Sequence, residues 1–381
     1  MNAPPLFIVI YGSTAVGKSA FALELAKYLP AEIINADVGQ LYKPFSIGTA
    51  KPSWQEHPVP HHLFDVINKP VDFSSYHYCQ MVEDVMTGIY QRGAIPLIVG
   101  GSGFYVRSLF FPPTKAQDVP SHKSAAAYTN DKSSLESSWE ELAAIDPVRA
   151  KQLHPHDTYR IERALTVWKQ SGTLPSQLKP TFKPIGNGIV IYLTRDEFDY
   201  TSSSDSTILS RSPNLKAIIK KRAIRMLEDG WLDEVHRLSH SEDYDWLSFA
   251  KKKGLIGYDC VERYLDHSSK NPKQRRVSTA LSSDKLVYGE DKSELEGLAE
   301  EISRATWQYA RRQRSFWRSL KRDLIAKNVD CREADLSYVD GHLYIKDLAH
   351  ELWQMHSELP SDKIHGFTHH DSQRVSVSGT E

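Results

Sequence analysis

The sequence predicts an α/β fold: a parallel sheet flanked by helices, interrupted by an inserted helical domain. Three observations carry this. Short, continuous apolar runs recur at Leu6–Tyr11, Ile95–Val99 and Gly188–Leu193, as strands buried on both faces require. Helical patterns follow the first two runs, the alternation that builds a parallel sheet. Between residues 113 and 185 the alternation stops and only helical patterns remain.

Taken in order, Leu6–Tyr11 is a strand running into a glycine-containing loop, and Ala20–Leu29 has helical periodicity. Glu32–Ala36 is a second strand, ending at Asp37, and Leu63–Val66 reads as a short third one. Tyr76–Gln91 is helical, Ile95–Val99 is a strand ending at Gly100-Gly101-Ser102-Gly103, and Tyr105–Phe110 starts a helix. From Pro112 to Ser138 the chain is rich in Pro, Ser, Lys and Ala. Ser138–Ile145 and Thr158–Ser171 are helices, the second with Asp157 as its N-cap and Gly172 just past its end. After the strand at Gly188–Leu193, Arg211–Leu227 is a basic helix, His267–Tyr288 a polar loop and Leu295–Lys321 a long helix. The polar stretch after Leu352 is expected to be disordered.

Composition excludes several classes. With 381 residues, 40% hydrophobic and 25% charged, the chain can bury cores for two or three domains. The 47 Lys+Arg nearly balance the 48 Asp+Glu, giving a formal net charge of −1. That excludes a uniform basic coat but not a local basic face. Cys79, Cys260 and Cys331 form no CxxC pair, so neither a disulfide framework nor a four-cysteine zinc site is expected, and a reducing compartment suits them. No apolar run approaches the ~18 residues of a membrane span. Leu6–Tyr11 lacks a basic leader, so it is not a signal peptide; a cytoplasmic location follows.

Gly12-Ser13-Thr14-Ala15-Val16-Gly17-Lys18-Ser19 matches GxxxxGK[ST] in full, between a strand and a helix. This makes the core P-loop NTPase-like. Backbone N–H groups of the loop and the helix N-terminus can cradle a diphosphate, Lys18 adds a point charge, and the Ser19 hydroxyl can hold Mg²⁺. The loop alone does not say which polyphosphate it holds. An ATPase usually has an acid at the end of a later strand, whereas Ile95–Val99 ends in glycines. Asp37 is the only acid closing an early strand, which speaks against routine ATP hydrolysis.

Several further motifs accompany the loop: Asp37-Val38-Gly39-Gln40-Leu41-Tyr42, Ile47–Pro52 (IGTAKP), Pro60–Leu63 (PHHL), Val99–Gly103 (VGGSG), Tyr159–Leu165 (YRIERAL), Gly254–Tyr258 (GLIGY) and Tyr309–Gln313 (YARRQ). In this order, over about residues 6–322, they resemble the tRNA dimethylallyltransferases, or tRNA isopentenyltransferases, of bacterial type. The resemblance implies transfer of a dimethylallyl group from dimethylallyl diphosphate to N6 of the adenine at position 37 of tRNA. It implies Asp37 as catalytic base, Ser102 beside it, and Lys18 and Arg222 on the leaving diphosphate. It also places Asp37–Gln40, Ser102, Tyr159-Arg160-Ile161-Glu162-Arg163 and Lys253-Gly254-Leu255-Ile256-Gly257-Tyr258 against the anticodon stem-loop, with Gln40 near the flipped base. The chemistry agrees. A diphosphate leaving group needs a cationic clamp and Mg²⁺, and the delocalised N6 lone pair needs a positioned carboxylate to take its proton.

Arg225 is the alternative to Arg222 within the same basic helix. Asp37 could instead cap a helix or hold Mg²⁺, Ser102 could be a turn residue, and Gln40 could bond its own loop. Arg304–Arg322 has seven basic residues and no acid, with Trp307, Arg311, Arg314 and Arg318 on one face, which suits RNA backbone contact. Two positions depart from the family pattern: Val38 replaces a Ser after the catalytic Asp, and Trp307 replaces an Arg. No C-terminal zinc finger is seen. The expected organisation is a catalytic core at 1–112 and 186–325, a tRNA-binding helical insertion at 113–185, and a C-terminal extension at 326–381, acting as a monomer. Prenyl transfer to free adenine nucleotides, a nucleotide kinase and a non-enzymatic RNA-binding protein are the competing functions. The helical insertion and the Arg304–Arg322 helix argue against the first, because a mononucleotide needs neither.

Overall fold

The computed structural model describes residues 5–113, 132–178, 181–196, 214–270, 292–337 and 341–357. Its centre is a six-stranded, all-parallel sheet in the order β3-β2-β4-β1-β5-β6. The strands are β1 (Leu6–Gly12), β2 (Ala31–Asn35), β3 (His61–His62), β4 (Ile95–Gly100), β5 (Asn187–Thr194) and β6 (Asp330–Asp335). In β1 every residue is buried, which explains its unbroken apolar run. Phe7, Val9 and Tyr11 enter the core on one face, and Leu6, Ile8 and Ile10 the core on the other, the alternation expected of a pleated strand.

Helices α1 (Lys18–Leu25), α2 (Val38–Leu41), α3 (Ser75–Gln91) and α4 (Gly103–Phe110) follow the early strands. The central strands bring the P-loop, Asp37 and the Gly100–Gly103 loop to their C-terminal ends. That edge is where ligands bind in open parallel sheets. α5 (Lys132–Ile145), α6 (Pro147–Ala150) and α7 (Thr158–Ser171) pack around a separate small core of Leu142, Ala150, Leu153, Ile161, Ala164 and Leu165. α8 (Leu215–Glu228), α9 (Trp231–Ser239), α10 (Trp246–Lys252), α11 (Tyr258–Lys270) and the long α12 (Lys292–Ile325) follow β5. α13 (Gly341–Ser357) packs on α1.

The structure departs from the sequence reading in several places. Leu63–Val66 is not a strand: Leu63 (φ 60°) and Asp65 (φ 56°) are left-handed, and the strand is His61–His62 just before them. α1 starts at Lys18, inside the P-loop motif, and ends at Leu25. The C-terminal extension adds a strand and a helix that the sequence reading did not specify. β6 (DCREAD) pairs with β5, and Ile345, Leu348, Ala349 and Leu352 of α13 join the core on that face. β6 lacks an apolar run because it is an edge strand. α13 continues to Ser357, so order extends beyond Leu352; residues 358–381 lie outside the described residues. α5 begins at Lys132, earlier than expected, and α11 runs to Lys270 through the start of the expected loop. The rest of that loop, and Arg211, lie outside the described residues.

Candidate active site

The P-loop turns from β1 into α1 through two left-handed residues, Ala15 (φ 63°) and Gly17 (φ 113°). At Gly17 a side chain would be strained, so the second motif glycine is conformationally required. Lys18 folds over the loop, its Nζ donating to the carbonyls of Gly12 (3.1 Å) and Ser13 (2.9 Å). Ser19 is exposed in the first turn of α1.

Asp37 follows β2 and caps α2. Its Oδ1 accepts from Gly39 N–H at 3.1 Å, and its own N–H donates to Asn35 Oδ1 at 2.9 Å. The Ser102 hydroxyl accepts from Val38 N–H at 3.0 Å, tying the loop after β4 to the turn that carries Asp37. Burial raises the Asp37 carboxyl above its ordinary value, against the pull of Lys18, the Gly39 N–H and Arg222. Burial likewise pushes the Lys18 ammonium down to about 8; Asp37 opposes this and Arg222 adds to it. Arg222, from the middle of α8, reaches the P-loop, with Nη1 at 3.4 Å from Thr14 Oγ1, and burial lowers its own guanidinium. Asp37, Lys18 and Arg222 thus form one electrostatically coupled group. Arg225 points away, exposed and 3.6 Å from Asp229.

This group opens onto a cleft between the P-loop, the IGTAKP loop, α8 and α12. Thr14, Asp37 and Arg222 line its polar part, and Ile219, Ala223, Met226, Trp231 and Ile302 are apolar lining residues. The arrangement can hold an anion at the P-loop, an apolar tail of a few carbons, and a proton acceptor facing both.

Two family models match the chain. IPP transferase covers residues 40–320, and isopentenyl transferase covers residues 6–63. The tRNA dimethylallyltransferase of Bacillus subtilis (strain 168) is 34% identical over 270 residues, covering 70% of this chain and 80% of that protein. That of Bacillus velezensis is 35% identical over 264 residues, covering 68% and 78%. The chain belongs to the IPP transferase family. The crystal structure of the tRNA isopentenylpyrophosphate transferase from Bacillus halodurans is similar with a TM-score of 0.55 at 25% identity, covering 93% of this chain and 97% of that one. A eukaryotic dimethylallyltransferase acting on tRNA shares the fold, with a TM-score of 0.60 at 22% identity over 92% of this chain and 78% of that one.

In this transferase the IGTAKP loop is held by a residue the sequence did not single out. Glu234, on α9 and 3% exposed, accepts from Ser46 N–H (3.0 Å) and Ile47 N–H (2.6 Å) on Oε2. Its Oε1 accepts from Gly48 N–H (3.1 Å) and the Tyr258 hydroxyl (2.7 Å). Gly48 lies so close to Trp231 that a Cβ there would sit 2.3 Å from Nε1. The loop lines the cleft through Gly48 and Thr49. Gln313, the last residue of the YARRQ motif, braces a second loop. Its Nε2 donates to the Gly101 carbonyl (2.9 Å) and its Oε1 accepts from Thr14 N–H (2.8 Å), so α12 staples the P-loop to the loop after β4.

The remaining expected residues divide. Gln40 donates to the carbonyls of Thr49 (3.1 Å) and Ala50 (3.3 Å), so its amide nitrogen holds the IGTAKP loop. Gly39, Gly254, Leu255 and Ile256 line the cleft. Tyr258 is fully buried against Glu234, and Lys253 pairs with Asp72 at 2.6 Å. Gly257 (φ 89°) packs on Trp231. On α7, Tyr159 and Arg160 are exposed and Glu162 and Arg163 half-buried, but Ile161 is 1% exposed in the small helical core. Its side chain cannot meet a partner, because an apolar side chain on the inner face of an amphipathic helix packs inward. On α12, Arg311 and Arg318 are exposed and line an open concavity with Gln308, Arg312, Arg314 and Ser315. Arg314 and Lys216 lie over the Trp307 ring at 5.8 and 5.1 Å. Trp317 is buried, stacked on Tyr192 at 4.7 Å, and anchors the helix as an interleaved aromatic can.

Proposed function

We propose that this chain transfers the dimethylallyl group of dimethylallyl diphosphate to N6 of the adenine at position 37 of tRNA. The observation that carries the reading is the coupled Asp37, Lys18 and Arg222 group between a P-loop and an apolar-lined cleft. The membership of the chain in a family of tRNA-modifying transferases supports it. Among the described residues no helix is long and apolar enough to cross a membrane. The site of action is the cytoplasm, where tRNA is available.

The diphosphate lies on the P-loop N–H groups and the start of α1, with Lys18 and Arg222 taking its charge. The five-carbon tail lies against Ile219, Ala223, Met226 and Trp231. The adenine is extruded from the anticodon loop, since its N6 is out of reach inside the stack. N6 attacks C1 of the prenyl group, the C1–O bond breaks, and the diphosphate leaves with the electron pair. Asp37 accepts the N6 proton; its raised pKa makes it a stronger base than an exposed carboxylate. Ser102 fixes the turn that carries Asp37, and Gln40 braces the IGTAKP loop beside it.

No group of three or more His, Cys, Asp or Glu among the described residues could cage a metal ion. The exposed Ser19 hydroxyl beside the anion cradle instead fits Mg²⁺, which binds through few protein ligands and keeps phosphate and water oxygens. Bound there, Mg²⁺ would neutralise diphosphate charge. The test is incubation with dimethylallyl diphosphate and total tRNA, followed by mass spectrometry of the nucleosides. The proposal expects adenosine carrying one dimethylallyl group from tRNA and none from AMP or ATP supplied as acceptor. Modification of a free nucleotide, with tRNA untouched, would overturn it.

A further inference from the structure

Phe104 is the most exposed of the large hydrophobic side chains that the described residues leave in water, at 69%. It sits in the first turn of α4, two residues after Ser102, whose hydroxyl holds the turn carrying Asp37. Phe316 of α12 meets the Phe104 ring edge-on at 5.1 Å between centroids and 65° between planes. Gly103 allows that approach, because a Cβ there would fall 2.4 Å from the Phe316 ring. Phe316 continues the α12 stripe of Tyr309, which lines the cleft, and Gln313, which staples the P-loop. Arg312, one turn before Phe316, lines the basic concavity of the same helix. An exposed aromatic face, braced by Phe316, therefore stands between the reacting end of the site and an arginine-rich surface.

A lone exposed phenylalanine is costly in water and usually marks nothing more than incomplete burial. Here its neighbours define an occupant. The arginine face selects a polyanion, and extrusion of one base leaves the flanking bases without a stacking neighbour. We propose that the Phe104 ring is a stacking platform for a nucleobase flanking the extruded adenine, supported from behind by Phe316. This rests on the transfer reading above and adds a positioning residue to it. The face offers no hydrogen-bonding group, so it accepts any base and contributes affinity rather than sequence choice.

The test uses the full chain and an anticodon stem-loop RNA with 2-aminopurine on either side of the target adenine. Binding to the unaltered protein should quench the probe at one of the two positions. Phe104→Ala should abolish that quench and raise KM for RNA about 5- to 150-fold, the effect of losing one base–aromatic stack, with KM for dimethylallyl diphosphate unchanged. Phe104→Tyr should restore both. Phe104→Leu keeps apolar packing on Phe316 and so preserves folding if the alanine variant does not fold; it should still lack the quench. An unchanged quench and an unchanged KM for RNA in the alanine or leucine variant would overturn the platform. Failure of the unaltered protein to modify the RNA, with the quench intact, would instead count against the transfer reading alone.

Discussion

Replacing Glu234 with Gln is the sharpest probe of how the cleft is built. The carboxylate accepts four hydrogen bonds, two on each oxygen, from Ser46, Ile47 and Gly48 N–H and from the Tyr258 hydroxyl. Glutamine has almost the same shape but only one acceptor oxygen. If its NH₂ takes the Oε1 side, the Tyr258 hydroxyl can turn to accept from it, but the Gly48 N–H loses its acceptor; on the other side two N–H groups do. At roughly 1.5–3 kcal/mol for each bond to a charged group, the loss of one or two should destabilise the protein by about 1.5–6 kcal/mol. That is a large fraction of the ~5–15 kcal/mol by which domains are stable. Because Gly48 and Thr49 line the cleft, kcat/KM should also fall, by up to ~10²-fold for a displacement of about an ångström. Urea unfolding followed by tryptophan fluorescence reads the stability, and steady-state kinetics at low temperature reads the activity of the molecules that remain folded. A midpoint equal to that of the unaltered protein, or destabilisation below about 0.5 kcal/mol, would refute the role assigned to this carboxylate.

Other consequences follow from the same geometry. The pH profile of kcat/KM for dimethylallyl diphosphate should be bell-shaped: Asp37 must lose its proton to act as base, so activity rises through its elevated pKa, and it falls above about 8 as free Lys18 loses its charge. A profile with no alkaline fall near that value would remove Lys18 from the diphosphate. Arg222→Ala should raise KM for dimethylallyl diphosphate about 10-fold or more, in line with loss of a charged hydrogen-bonding group, whereas Arg225→Ala should leave it unchanged. The reverse result in parallel kinetics would move the clamp to the exposed side of α8. Replacing Arg311 and Arg318 together by Ala should lower the slope of log K against log salt for tRNA binding by about one to two units. An unchanged slope would make that face an ordinary solvated one.

The parts of this site that could be read from the sequence are those made by short spacings. The P-loop, the strand-end Asp37 and the glycine loop at Gly100–Gly103 each depend on neighbours a few residues away. Turn, strand and helix N-terminus dictate residue types at fixed offsets there. Glu234 was invisible for the opposite reason, and Gln313 entered only as the end of the YARRQ motif with no role attached. The loop N–H groups they satisfy lie 186–188 and 299 residues away, so nothing near them in sequence marks a buried carboxylate or amide with those groups to bind. The same holds for Trp231, whose contacts with Gly48 and Gly257 only the fold creates. Leu63–Val66 failed because a short apolar pattern cannot report backbone sign, and two left-handed residues break the strand. β6 failed because an edge strand buries little and so carries no apolar run; only Ala334 is buried in DCREAD. The family resemblance carried the assignment of tRNA as substrate, which no local pattern could supply.

The central claim is that Asp37 takes the N6 proton while the P-loop group holds the diphosphate. Rapid-quench single-turnover measurement with Asp37→Asn, saturating dimethylallyl diphosphate and tRNA tests it most directly. Asparagine keeps the Oδ1 acceptor for Gly39 N–H and so the cap of α2, but cannot accept the proton. The account predicts a rate of prenyl transfer about 10²–10⁴-fold below that of the unaltered protein, with tRNA binding retained. Transfer at a near-normal rate would contradict it.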